Sequence, residues 1–300
     1  MTFENVTSSP TLHSSHTLAG IRRFLISELT KNKIENSVGE ADLILTRLLS
    51  CSRSVVLGHP EKILTDCEIA SAQEILRRRM CGEPLQYILE EAFFYGRPFE
   101  VQKGVLIPRP ETELLVEMAL DLLSDTPSPA ERTFLDWGTG SGCIAITLLL
   151  EHPSMRAVMA EKNPLSLLQA WKNTVRYGLF HRCFLWHSQN PKDIPIARQS
   201  LDLIVSNPPY IPTRELPSLM REVRDYEPQL ALDGGEDGMD FYRLLFKHAS
   251  SWLRPGGLLL FEIGSEVQFA EMKGMPSSTC SFVKSVTDLE GHLRCAAWKY

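Results

Sequence analysis

The sequence lacks a hydrophobic run long enough to cross a membrane. A transmembrane helix needs about 20 consecutive apolar residues, and the richest apolar stretch of this 300-residue chain runs only from Cys143 to Leu150. The amino terminus also lacks the basic patch and apolar segment of a secretory signal. We therefore expect a protein that is neither secreted nor inserted in a membrane.

Paired cysteines and metal-ligand patterns are lacking too. The 7 cysteines lie at positions 51, 67, 81, 143, 183, 280 and 295, with no C-x-x-C spacing, and the 8 histidines are scattered. An odd, dispersed set argues against a disulfide framework and against a zinc site. The sequence thus predicts no metal and favours the reducing cytoplasm.

An excess of positive charge is also absent. The chain has 31 Lys and Arg against 37 Asp and Glu, a net charge of -6. Such a protein has no general attraction for nucleic acid, so we expect no stable nucleic-acid binding. Its 43% hydrophobic content, by contrast, is enough for a substantial buried core.

The amino-terminal part has the pattern of a helical bundle. Apolar residues recur at helical spacing from Leu18 to Leu29. Two further helices are predicted to begin with S/T-x-x-E capping boxes, at Ser37 and at Thr65. We therefore predict a small helical domain over residues 1–84.

The pattern then changes from helical to extended. Aromatic and branched residues, interrupted by turn residues, predict a β-hairpin linker over residues 85–108. Strands are predicted at 133–136, 156–161, 183–186, 201–206, 257–263, 280–286 and 293–300, with helices at 143–151, 164–176, 238–252 and 265–272. This alternation predicts an α/β domain with a doubly wound, mostly parallel sheet.

A glycine-rich turn follows the first strand of that domain. It consists of Gly138, Thr139, Gly140, Ser141 and Gly142. Glycines let the backbone turn sharply and approach a ligand, and the N-terminus of the following helix offers free N–H groups. The spacing is not the G-x-G-x-x-G of dinucleotide sites, so a purely structural turn stays an alternative.

Glu161 ends the second strand of the domain. It lies about twenty residues after the glycines, where dinucleotide sites place a ribose-binding acid. Its carboxylate can accept both ribose hydroxyls, and the alternative is a glutamate that caps the next helix. Turn and acid together predict a nucleoside ligand that ends in a carboxylate, and S-adenosylmethionine has that shape.

The segment Asn207-Pro208-Pro209-Tyr210 follows the fourth strand. The two prolines fix the backbone, so the Asn207 side-chain oxygen and the Pro208 carbonyl can accept both hydrogens of a planar NH2 group. The Tyr210 ring can stack on that group. The alternative is a rigid loop around a buried tyrosine.

The glycine-rich turn and the N-P-P-Y segment resemble class I S-adenosylmethionine-dependent methyltransferases that act on planar amino groups. Three further segments, GEPLQYI at 82–88, VLIPRPETEL at 105–114 and GGEDGMDFYR at 234–243, are similar to the PrmC/HemK family of release factor glutamine methyltransferases. The resemblance covers about residues 20–300. It implies a Rossmann-like doubly wound sheet with a final antiparallel hairpin, a methyltransferase domain at 109–300 and an amino-terminal domain that recognises the substrate.

The resemblance also implies an activity and a site. The implied reaction is methyl transfer from S-adenosylmethionine to the side-chain amide nitrogen (N5) of the glutamine in the GGQ motif of peptide chain release factors. These factors act in translation termination. Residues Gly138 to Gly142, Glu161 and Asn207 would bind the cofactor, and Glu161 stands where the family usually has Asp. Asn207, Pro208 and Tyr210 would be catalytic, and Pro209 would complete the substrate clamp.

Two other functions remain open from the residues alone. A nucleic-acid methyltransferase could hold the N6 amino group of adenine with the same N-P-P-Y clamp. A non-catalytic adaptor could bind S-adenosylmethionine and dock on the translation machinery through the helical domain. Release factor, DNA and RNA tested as methyl acceptors distinguish these functions.

Overall fold

The computed structural model describes residues 16–124, 131–275 and 280–300. The chain forms two compact units, Met1–Leu89 and Glu90–Tyr300. The boundary lies a few residues beyond position 84, where the sequence places the end of the helical domain, and residues 1–15 of that domain lie outside the described part. Among the described residues, no helix is both long and apolar enough to span a bilayer.

The first unit is helical. Its helices are α1 (Leu18–Lys31), α2 (Ser37–Leu48), α3 (Arg53–Gly58), α4 (Asp66–Met80) and α5 (Leu85–Leu89). They enclose one apolar core, in which Leu18, Ile21, Leu25 and Leu29 of α1 are all buried. Full burial of one such side chain contributes about 1.5–3 kcal/mol. The helical periodicity read from the sequence is confirmed.

The two predicted capping boxes have different outcomes. At α4, the Thr65 hydroxyl accepts the Glu68 N–H at 3.3 Å and the Glu68 carboxylate accepts the Thr65 N–H at 2.7 Å, which confirms the prediction. At α2, the prediction for Ser37 is wrong, because the Asn36 side chain caps this helix by accepting the Gly39 N–H at 3.2 Å. Asn and Ser are equally good caps, so the sequence alone does not choose between neighbours.

A short β-hairpin begins the second unit. Its strands β1 (Glu91–Phe94) and β2 (Arg97–Glu100) pair antiparallel. The hairpin predicted for residues 85–108 is therefore present but shorter than expected. The residues before it form α5 instead, because the Pro84 carbonyl accepts the first hydrogen bonds of that helix.

Within the described ranges, seven strands form the central sheet of the second unit. They are β3 (Arg132–Trp137), β4 (Met155–Glu161), β5 (Cys183–His187), β6 (Leu201–Ser206), β7 (Leu253–Glu262), β8 (Ser281–Thr287) and β9 (Leu293–Lys299). Their order is β5-β4-β3-β6-β7-β9-β8. The first five are parallel, and β9 runs antiparallel to both of its neighbours. The doubly wound sheet with a final antiparallel hairpin is confirmed.

Helices cover both faces of this sheet. They are α6 (Glu113–Ser124), α7 (Cys143–Glu151), α8 (Pro164–Arg176), α10 (Asp240–Trp252) and α11 (Glu266–Lys273), whereas the short helix α9 (Arg221–Tyr226) has no buried residue. Phe134 and Leu203 pack with α6 and α7 on one face, and Leu135 and Ile204 pack with α10 on the other. All of β6 is buried, as a central parallel strand requires. The segments that follow β3 and β6 are therefore attached to rigid strands.

Candidate functional site

Three glycines shape the turn between β3 and α7. Gly138, Gly140 and Gly142 have φ values of 76°, 57° and 84°, a region that residues with a side chain rarely adopt. A Cβ on Gly142 would lie 3.0 Å from side-chain atoms of Ile146 and Met159, so this glycine also lets α7 begin close to the sheet. A Cβ on Gly138 would meet no atom within 4 Å, so open space adjoins the start of the turn.

Asp136 stabilises this turn through two hydrogen bonds. Its Oδ2 accepts the Thr139 hydroxyl at 2.7 Å and the Ala145 N–H at 3.3 Å. Burial raises the pKa of the Asp136 carboxyl to about 7, although both hydrogen bonds oppose the shift. Asp136 ends the strand predicted at 133–136 and had no predicted role; its two hydrogen bonds join the strand end, the turn and the helix.

The raised pKa of Asp136 predicts a pH-dependent stability. Between its ordinary pKa of 3.8 and about 7, the folded protein keeps a proton on this carboxyl that the unfolded chain has lost. The stabilisation is complete below this window and is lost as the pH rises through it. The free energy of unfolding of the wild type, minus that of Asp136→Asn, should fall by up to about 1.4 kcal/mol per pH unit across the window. Urea denaturation of both proteins measures it, and a pH-independent difference would contradict the prediction.

Glu161 joins the end of β4 to the glycine-rich turn. Its Oε2 accepts the Gly140 N–H at 2.9 Å, and its Oε1 accepts the N–H groups of Lys162 and Asn163, both at 2.8 Å. Burial raises the pKa of the Glu161 carboxyl, and these three bonds oppose the shift. Because a carboxylate has about four acceptor positions, it can take both ribose hydroxyls only by giving up one backbone bond.

Part of the predicted cofactor set lines one cavity of the second unit. The members that line it are Gly138, Gly140, Glu161 and Asn207. The other lining residues are mostly small or apolar: Leu106, Trp137, Lys162, Asn163, Ser166, Ser206, Pro209, Leu230, Ala231 and Phe241. The members outside the lining are Thr139, Ser141 and Gly142. Thr139 and Ser141 are buried within the turn, so they shape it from inside.

Asn207 follows the last residue of the central strand β6. Its Nδ2 donates a hydrogen bond to Thr112 Oγ1 at 3.1 Å, which leaves Oδ1 on the other side of the carboxamide. The neighbouring Ser206 hydroxyl donates to the Trp137 carbonyl at 2.6 Å and ties the end of β6 to the end of β3. The Asn207 carboxamide therefore has a defined direction beside the glycine-rich turn.

A second cavity, of about 470 Å³, adjoins Asn207. All three residues predicted to be catalytic, Asn207, Pro208 and Tyr210, line it, whereas Pro209 lines the first cavity. Its other lining residues are Leu106, Arg109, Pro110, Glu111, Ile211, Leu219, Met220, Val223, Ala231, Leu232, Glu262 and Arg294. Three residues line both cavities, namely Leu106, Asn207 and Ala231, and among them Asn207 has the polar side chain.

Glycines and one glutamine enclose Tyr210. The Tyr210 carbonyl accepts Gln268 Nε2 at 2.7 Å, and its hydroxyl donates to Glu262 Oε1 at 3.3 Å. A Cβ on Gly238 would lie 2.3 Å from the Tyr210 carbonyl oxygen, and one on Gly264 would lie 2.5 Å from ring atom Cδ2. A side chain at Gly238 or Gly264 would therefore displace the backbone or the ring of Tyr210.

Gly264→Ala tests this enclosure. The added Cβ would lie 2.5 Å from Tyr210 Cδ2 and 2.8 Å from Gln268 Oε1, so the ring must move. We expect a loss of about 1–3 kcal/mol in the free energy of unfolding and a raised KM for the methyl acceptor. Gly274→Ala is the control, since its Cβ would meet only the Glu271 carbonyl oxygen, at an ordinary contact distance of 3.4 Å. Equal stability and KM in the two variants would contradict the expectation.

Three residues at this site, Thr112, Glu262 and Gln268, were missed from the sequence. Thr112 lies in the segment 105–114, which carried only the family resemblance. Glu262 is the last residue of β7. A polar residue at the carboxyl end of a parallel strand was the signal that identified Glu161, and the same signal could have found Glu262.

Comparisons with known proteins agree with this architecture. Residues 21–89 match the family model of the PrmC N-terminal domain, and residues 112–222 match that of the methyltransferase small domain. The chain is 41% identical to the release factor glutamine methyltransferase of Geobacter sulfurreducens, over 79% of this chain and 80% of that protein. It is 37% identical to the protein of the same name from Nitratidesulfovibrio vulgaris, over 94% and 95%.

A solved structure shares the fold. The hMettl16 catalytic domain, in complex with MAT2A 3'UTR hairpin 6, superposes with a TM-score of 0.52 at 16% identity, over 81% of this chain and 85% of that one. At this identity the likeness concerns the fold alone. The family assignment rests instead on the sequence identity with the two bacterial proteins, which covers most of this chain. This chain belongs to the family of release factor glutamine methyltransferases.

Proposed function

We propose that this protein transfers the methyl group of S-adenosylmethionine to the side-chain amide nitrogen (N5) of the glutamine in the GGQ motif of peptide chain release factors. The observation that carries the proposal is the position of Asn207, which lines both cavities and has its carboxamide direction set by Thr112. Membership of the family supports the same substrate. Release factors act in the cytoplasm, and we place the protein there.

The residues of the first cavity fit S-adenosylmethionine. Glu161 offers a carboxylate for the ribose, and Gly138 and Gly140 have no side chain to obstruct a ligand. Leu106 and Phe241 provide apolar surface in the same lining. When bound, S-adenosylmethionine supplies an electrophilic methyl group on a positively charged sulfur.

The residues of the second cavity would orient the methyl acceptor. Asn207 Oδ1 and the Pro208 carbonyl would accept the two N–H bonds of the glutamine carboxamide, and the Tyr210 ring would stack on its plane. An amide nitrogen is a poor nucleophile because its lone pair is delocalised, so fixing its direction toward the methyl group supplies much of the acceleration. The same two oxygens would stabilise positive charge that develops on the nitrogen.

Mass spectrometry tests the proposed function directly. Unmethylated release factor is incubated with this protein and S-adenosylmethionine, and fragmentation then locates any added methyl group. We expect one methyl on the GGQ glutamine, and none when that glutamine is replaced by alanine. Methylation of adenine in DNA or RNA, with none on release factor, would instead support the nucleic-acid methyltransferase. Cofactor binding with no transfer to any acceptor would support the adaptor.

The helical unit, we propose, contacts the body of the release factor. Its described part has a core of its own, and it matches the model of the PrmC N-terminal domain. A short peptide that contains the GGQ motif retains the glutamine but lacks the body of the release factor. In the same assay the peptide should be methylated with a higher KM than the whole release factor, and equal KM values would contradict this role.

A further inference from the structure

Thr112 lies between Asn207 and a buried acid. The Thr112 hydroxyl donates to Glu262 Oε2 at 2.5 Å and accepts from Asn207 Nδ2 at 3.1 Å. Thr112 is 2% exposed and Glu262 is 3% exposed. The three side chains thus form a hydrogen-bonded chain that runs from two buried residues to the half-buried carboxamide of Asn207, which lines both cavities.

The direction of each hydrogen bond follows from the number of protons available. A hydroxyl has one proton, and Thr112 gives it to the Glu262 carboxylate. The Thr112 oxygen can then only accept a further hydrogen bond, so the Asn207 carboxamide must direct its NH2 group toward Thr112. If the carboxamide turned over, Asn207 Oδ1 would face the Thr112 oxygen with no proton between them. That arrangement is unfavourable in a buried site.

We propose that Thr112 and Glu262 are positioning residues that keep Asn207 Oδ1 turned away from Thr112 and available to the methyl acceptor. This inference rests on the proposed function of Asn207 and deepens it. Thr112 acts on the reaction through the Asn207 side chain. Glu262 acts through Thr112 and also accepts the Tyr210 hydroxyl, so the Thr112 variants are the ones that isolate the Asn207 route.

The charge of Glu262 controls this chain of bonds. Burial raises its pKa to about 7. A protonated Glu262 can donate its own proton to the Thr112 oxygen. The Thr112 hydroxyl can then donate to Asn207 Oδ1, so the Asn207 carboxamide can turn over and direct its oxygen toward Thr112. Turnover should therefore fall as the pH drops through this pKa.

Other titratable groups surround Glu262. Those that face it are Glu111, Arg294, Tyr210, Tyr242, Cys143 and Cys295. Burial raises the pKa values of the two tyrosines and the two cysteines, so these four groups stay neutral near pH 7. The pKa of Arg294 is raised as well, mainly by its hydrogen bond to Asp288, so Arg294 stays charged.

Thr112→Val is the main test, because valine keeps the shape and removes the hydroxyl. We expect turnover to fall about 10- to 100-fold, with an unchanged Kd for S-adenosylmethionine and no drop in turnover near the Glu262 pKa. Thr112→Ser restores the hydroxyl and should recover turnover and its pH dependence. Adding Thr112→Val to Asn207→Ala should cause no further loss, since the residue acts through Asn207. Full turnover in Thr112→Val, or additive losses in the double variant, would overturn the proposal.

Two measurements keep the inference separate from the proposed function. The NMR signal of the Asn207 side-chain NH2, identified by its loss in Asn207→Ala, should shift in Thr112→Val whatever the methyl acceptor is. Glu262→Gln cannot titrate, so its turnover should lack the decline near the wild-type pKa. An unshifted NH2 signal, or an unaltered pH profile in Glu262→Gln, contradicts the positioning role. Absence of methyl on the GGQ glutamine contradicts only the substrate assignment.

Discussion

Asn207→Ala is expected to lower turnover by about 100- to 1,000-fold, the range found when one preorganised group that stabilises transition-state charge is removed. The Asn207 carboxamide lies at the end of the buried strand β6 and is held by Thr112. Alanine removes the oxygen that would accept the glutamine N–H, and the Pro208 carbonyl alone cannot set the direction of the nitrogen. Single-turnover methylation of the release factor measures the effect on the chemical step.

The loss should be confined to the chemical step. The Kd for S-adenosylmethionine should change by less than about threefold, because the other residues of the first cavity are unchanged. The lost interaction is one made mainly in the transition state, so it affects turnover more than binding. Asn32→Ala, assayed at saturating release factor, is the control: Asn32 is the exposed C-cap residue of α1 and lines neither cavity. Near-normal turnover in Asn207→Ala would refute the clamp.

Glu161→Ala is expected to raise the Kd for S-adenosylmethionine by about 100-fold or more, because hydrogen bonds to a charged acceptor contribute about 1.5–3 kcal/mol each. The variant loses the ribose acceptor. It also loses the bond from Gly140 N–H that fixes the glycine-rich turn. Calorimetric titration with S-adenosylmethionine measures the Kd without any methyl acceptor.

Glu161→Asp is the matched control for this effect. It retains two acceptor oxygens on a shorter side chain and should bind more tightly than Glu161→Ala. Once S-adenosylmethionine is saturating, turnover in Glu161→Ala should recover far more than in Asn207→Ala. A Kd equal to that of the wild type in Glu161→Ala would show that the carboxylate serves only the backbone groups of Gly140, Lys162 and Asn163.

Much of the fold follows from hydrophobic pattern and turn residues. The bounds of β6 and α8 agree with the predicted ranges 201–206 and 164–176, because a fully buried strand and an amphipathic helix that starts with Asn-Pro both give strong local signals. Helix α3 was missed, since its six residues are too few to show a period. The extent of the hairpin was also misjudged, because apolar residues of α5 adjoin β1 in the sequence.

The site residues were predictable where a short local segment contains the functional groups together. The turn at 138–142, Glu161 and the N-P-P-Y segment each follow a strand, and parallel strands bring such segments to one edge of the sheet. The links among distant segments were not predictable. Thr112 meets Asn207 across 95 residues and Glu262 across 150, so no local pattern could pair them.

The most direct measurement is a crystal structure of the protein with S-adenosylhomocysteine and a peptide that contains the GGQ motif. The account predicts that the glutamine enters the second cavity, with Asn207 Oδ1 and the Pro208 carbonyl each about 2.7–3.2 Å from its amide nitrogen. The nitrogen should face the sulfur in the first cavity. An Asn207 oxygen turned toward Thr112, or a glutamine bound elsewhere, would contradict the account.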